Sequence, residues 1–154
     1  MLHLGDIDAE ALGDLLRAHG LQLHVIADDQ PIPGSFWGEP EAGLIGSTVF
    51  ARRDTPVHSV LHESCNLIVM PAERRERIHT DATDSIAEED AACYLQIVLA
   101  DSLPDVGSER LMADMDEWGY TFRLGSTRAW FEGDACETRS WLQARTLLPA
   151  QAIP

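Results

Sequence analysis

Between Thr55 and Met70, three polar side chains recur at four-residue intervals: His58, His62 and Asn66. On a helix that spacing puts them on one slightly drifting stripe. Two imidazoles a turn apart can close on a single transition-metal ion, and a carboxylate from a second helix can complete the site. Glu88 and Glu89 follow His62 by 26 and 27 residues and open another helical pattern, so they are the carboxylates expected to meet it. Val57, Val60, Leu61, Cys65 and Ile68 occupy the neighbouring stripe and are expected to face the core, with the polar stripe at its edge. A metal-free histidine pair satisfied by hydrogen bonds is the plainer alternative. Carboxylates at 88 and 89 also suit a first helical turn through the helix dipole alone.

His62-Glu63-Ser64-Cys65-Asn66 resembles the HExxH helix of zincin metallopeptidases, with asparagine in place of the second histidine. Glu88-Glu89-Asp90-Ala91-Ala92 is similar to the downstream Glu-bearing helix of the small zincins, including those that cleave phage-type repressors. The resemblance covers about residues 56–99. It implies a small zincin-like α+β domain, helix-rich with a short β-sheet, and zinc or another divalent transition metal that activates water. Carried over residue by residue, it implies His62 as a metal ligand, Glu63 as general base and Glu88 or Glu89 as a further ligand, acting on a peptide or protein substrate. Asn66 departs from the pattern, because an amide oxygen is a poor zinc ligand. His58, one turn earlier, is one expected replacement. A thiolate from Cys65 or Cys93 is another, although Cys65 on the core stripe also reads as a small apolar filler. The competing expectation is a catalytically silent interaction module that keeps the architecture without metal.

The elements that must position these residues are legible in part. Residues 8–19 show helical spacing of Ala11, Leu12, Leu15 and Leu16, and Gly20 follows as a helix stop. Residues 21–26 and 47–52 read as two strands that pair, separated by a long ordered loop rich in proline and glycine. Phe36 and Trp37 in that loop are candidates to line a cleft beside the histidine helix. Asp54 or Thr55 is expected to cap that helix, with Pro56 at its first position. Ser85 and Glu88 have capping-box spacing for the next helix, which Pro104 and Gly107 close. A short helix is expected over 108–118, an extended stretch over 119–125, and two helical pieces around Gly133-Asp134.

The chain has 154 residues, no repeat and no linker-like segment, and so is expected to form a single domain over 1–154. Eleven basic residues against 26 acidic ones give a net charge of −15. Such a surface repels phosphate backbones and argues against nucleic acid as a partner. No run of about 18 apolar residues suggests a membrane span. The N-terminus lacks signal-peptide character, and three cysteines form no CxxC pair, so a cytoplasmic setting is expected. Arg52-Arg53 and Arg74-Arg75-Arg77 are expected to form solvated ion pairs. No phosphate loop, dinucleotide fingerprint or GxSxG elbow occurs.

Overall fold

In the computed structural model, residues 1–35, 38, 40–80 and 85–148 are described below. Asp8 accepts hydrogen bonds from the amides of Glu10 and Ala11 at 3.0 and 3.3 Å and so starts α1 (Ala9–Ala18). Leu12 and Leu16 of α1 are fully buried. Gly20 takes φ +78°, the left-handed conformation that ends helices, and the chain turns into β1 (Gln22–Val25).

As expected, β1 pairs with the strand that follows the proline–glycine segment, β3 (Thr48–Ala51). The pairing is parallel, with Gln22 opposite Thr48 and Val25 opposite Ala51. A further strand, β2 (Gly43–Ile45), emerges from the segment read as loop and runs antiparallel to β3, giving the order β1-β3-β2. Three residues are too few to show alternation, and Gly43 disguises the strand further. That glycine is required by close approach: a Cβ there would collide with the Pro33 carbonyl. The chain makes this contact because Ser35 bridges to Gly43 along the outer edge of β2.

The histidine helix is α2 (Val57–Ile68). Pro56 itself is the N-cap residue, so the helix begins at Val57, one position later than expected. Thr55 does not cap, because its hydroxyl accepts the amide of Arg52 at 2.9 Å. All five residues expected on the core stripe are buried. His58 and Asn66 are also buried, at 2% and 5% exposure, so α2 has no edge stripe at that level. It is an interior helix, packed between α4 (Ile86–Ala100), α5 (Ser108–Trp118) and β3.

A single turn, α3 (Ala72–Arg75), carries the basic cluster. Arg75 donates to the carbonyls of Leu67 and His19, clamping the end of α2 to that of α1. Ser85 accepts the Glu88 amide and caps α4, as its spacing suggests. Ala91, Ala92, Leu95 and Ile97 of α4 are buried, for this helix lies against α2, α5 and α7 (Cys136–Ala144). Gly107 and Gly119, both with positive φ, flank α5. The segment after it, expected to be extended, forms no strand. The Tyr120 amide bonds back to Met115 at 3.1 Å, and a turn at 122–125 leads into α6 (Thr127–Gly133). The fold is thus α+β, mainly helical, with a three-stranded sheet at one side. Among the described residues, no helix is long and apolar enough to cross a membrane.

Candidate metal centre

α4 presents Glu89, Cys93 and Gln96 on one stripe, since positions i, i+4 and i+7 share a helix face. Opposite them, α2 presents His62. Its Nε2 lies 2.7 Å from Glu89 Oε1 and its Nδ1 lies 2.7 Å from Gln96 Oε1. The Cys93 thiol joins them: one ligand atom each from His62, Glu89 and Cys93 lie within 4.8 Å of one another. This is the one such group of three found among the described residues.

Burial works against a charged His62. The Tyr120 hydroxyl, the Cys93 thiol and the Glu89 carboxylate together outweigh it and hold the His62 pKa well above the ordinary imidazole value. The hydrogen bond from His62 in turn lowers the Glu89 carboxyl pKa. Glu63, the next residue on α2, is partly buried. Burial pushes its carboxyl up to about 7, opposed by the His62 charge and reinforced by the Glu89 and Glu41 carboxylates. An Asn66 hydrogen bond draws it partly back. A carboxyl in that range suits a general base working near neutrality. Tyr120 meets the rings of both His58 and His62 edge-on, at 5.4 and 5.9 Å between centroids, and burial pushes its phenol up to about 12.

Of the residues singled out from the sequence, His62 and Glu89 come together, with Glu63 beside them. His58 does not join the ligand group. Its Nδ1 sits 3.1 Å from the Tyr120 hydroxyl, its ring packs 5.0 Å from that of Trp118, and burial lowers its pKa to about 4. Glu88 is held elsewhere: one residue before Glu89 is a 100° step around the helix, and its carboxylate pairs with Arg74. Cys65 is wholly buried and serves as a filler, with its thiol pKa raised by burial. Asn66 directs its amide to Glu63. Phe36 and Trp37, expected to line the cleft, lie outside the described residues. Gln96 and Tyr120 escaped the sequence reading. For Gln96 a signal existed, because it is the one polar residue inside the apolar run from Tyr94 to Ala100. Tyr120 had none, lying in a segment with no periodicity.

The donor set fits a borderline-soft divalent ion. An imidazole nitrogen, a carboxylate oxygen and a thiolate are all ordinary zinc ligands, and three of them leave one position for water. Zinc bonds of about 2.0–2.3 Å separate tetrahedral ligands by roughly 3.3–3.8 Å. The 2.7 Å His62–Glu89 contact is therefore a hydrogen bond that metal entry would open. The Glu89 side chain, 48% exposed, is free to turn that far. Gln96 Oε1 requires a proton on Nδ1, which leaves Nε2 as the ligand atom.

Compared with protein-family models, with curated proteins and with solved structures, the chain has no match.

Proposed function

We propose that the chain is a metal-dependent hydrolase whose centre is made by His62, Glu89 and Cys93, with Glu63 as general base. The observation that carries this reading is the convergence of three ligand types from two helices, with the imidazole already held on its second nitrogen. Zinc bound by three protein ligands acts as a Lewis acid and acidifies water. Glu63, adjacent to His62 and near neutrality in pKa, is the side chain suited to take up the proton. An amide bond in a peptide or protein is the substrate class implied by the likeness to the small zincins. Cys93 differs from the ligand expected on that likeness, so the relationship to zincins rests on His62, Glu63 and Glu89 alone.

The test is metal stoichiometry of protein purified without a histidine tag. One equivalent of zinc or another divalent transition metal is expected, lost in both His62→Ala and Cys93→Ser. Cobalt(II) substitution should give a thiolate-to-metal charge-transfer band that disappears in Cys93→Ser. Because an ion bound only by the folded state stabilises it, a chelator should lower the melting temperature. Less than about a tenth of an equivalent, together with a melting temperature indifferent to chelator, would sink the metal reading.

One observation favours a second reading, a metal-free interaction module. Both ring nitrogens of His62 already have partners, Gln96 and Glu89, so the network closes without an ion. On that reading, chelator leaves stability unchanged while His62→Ala still lowers it.

A further inference from the structure

We infer that Gln96 is a positioning residue for this centre: it fixes the tautomer and ring angle of His62 so that Nε2, and not Nδ1, faces Glu89 and Cys93. The inference deepens the metal reading and rests on it for its functional meaning, although its structural part stands in the metal-free chain.

Gln96 is 0% exposed. A glutamine there is costly, because its amide leaves water and its Nε2 has no hydrogen-bond partner. An apolar residue would suit this helix position better, as its neighbours Leu95 and Ile97 attest. Gln96 accepts a short bond of 2.7 Å from His62 Nδ1–H at Oε1, with the Tyr120 hydroxyl also interacting with its side chain. A neutral imidazole carries a single proton and can place it on either nitrogen. In the metal-free chain both ring nitrogens donate, Nε2–H to Glu89 and Nδ1–H to Gln96. When the Nε2 proton gives way to a metal ion, the acceptor fixed in the core at Nδ1 keeps the remaining proton there. The freed Nε2 lone pair then lies on the side where Glu89 and Cys93 converge. The same acceptor restrains rotation of the ring, which is needed because Tyr120 touches it only edge-on. Glu89, Cys93 and Gln96 share one stripe of α4. A single helix face therefore carries two ligands and the restraint on the third.

Gln96→Leu and Gln96→Glu separate positioning from packing. Both keep roughly the side-chain volume, but only glutamate restores an acceptor opposite Nδ1. For zinc added to the purified chain, Gln96→Leu should bind about 10- to 100-fold more weakly, as loss of an outer-sphere partner typically does. Gln96→Glu should recover most of the affinity. Nitrogen-15 NMR of the His62 ring in the metal-free protein should find a slowly exchanging Nδ1 proton in the parent chain and in Gln96→Glu, and none in Gln96→Leu. Equal zinc affinity in Gln96→Leu and the parent would overturn the inference, as would equal loss in both variants or an unchanged Nδ1 proton signal in Gln96→Leu. If the parent chain itself binds no zinc, the metal reading fails, and the proton signal still decides whether Gln96 orients His62.

Discussion

His58 and His62 are four residues apart on one helix, yet their surroundings drive them in opposite directions. His62 faces carboxylate, thiol and hydroxyl and is held protonated more strongly than usual. His58 is sealed between Trp118 and Tyr120, and burial lowers its pKa to about 4, with the neighbouring His62 charge adding to the effect. Between about pH 6.5 and 4 the unfolded chain therefore binds a proton at position 58 that the folded chain does not. His58's share of stability is complete above pH 6.5 and is lost as the pH falls toward 4. Urea unfolding at about pH 7 and about pH 4.5 should differ less in His58→Asn than in the parent, by roughly 2 kcal/mol. Asparagine keeps a polar atom near the Tyr120 hydroxyl but does not titrate. The adjacent carboxylates offer a second contrast. Glu89→Ala should abolish metal binding. Glu88→Ala should leave it intact and change stability by under about 1 kcal/mol, since its Arg74 partner is 41% exposed and screened by water.

At the scale of elements, α2 and α4 form the site by packing against each other along their lengths. α2 is anchored at both ends. The Val57 amide bonds to the Leu2 carbonyl at 2.9 Å, and Arg75 ties its other end to α1. The N-terminal segment that supplies Leu2 is itself pinned to α5, where buried Asp114 accepts the Leu2 amide at 2.9 Å. On the sheet side, β2 fits beneath the segment at 33–35 only because position 43 lacks a side chain. Gly43→Ala should therefore destabilise the fold by several kcal/mol, a steric conflict between backbone and Cβ. Gly46→Ala meets nothing within 4 Å and bears only the cost of a left-handed φ of +58°, about 1–2 kcal/mol. Denaturant midpoints of the two variants would rank them. Equal midpoints would mean that the Pro33–Gly43 approach is looser than it looks.

For the whole molecule, a net charge of −15 is the dominant long-range property. All 11 basic residues are arginine, and several are committed to local pairs: Arg52 with Asp54, Arg74 with Glu88, Arg123 with Asp134. The surplus carboxylates repel one another across the surface, a cost the unfolded chain escapes by expanding. Melting temperature should therefore rise when sodium chloride is raised from about 0.01 M to about 1 M, as the screening length falls from roughly 30 to 3 Å. A flat or falling response would mean that the repulsion is already relieved by the arginine pairs. Near the centre the same acidity has a local form. The Glu41 and Glu89 carboxylates both act electrostatically on Glu63, and a bound cation would offset that cluster.

The amphipathic and capping patterns of single segments were readable from the chain by itself. The bounds of α5 at Ser108 and Trp118, the cap at Ser85 and the buried stripe of α2 follow from side-chain periodicity and local hydrogen bonding, which act over a few residues. The His62–Glu89 pairing was half legible: both residues stood out by type, but a sequence cannot say which of two adjacent carboxylates faces a partner helix. That choice is a 100° rotation set by how α4 packs against α2. The same packing turned His58 toward Tyr120 and brought Cys93 and Gln96 to the imidazole. Those contacts join residues 31 to 62 positions apart, where local propensity has no reach and the shape of the shared core decides.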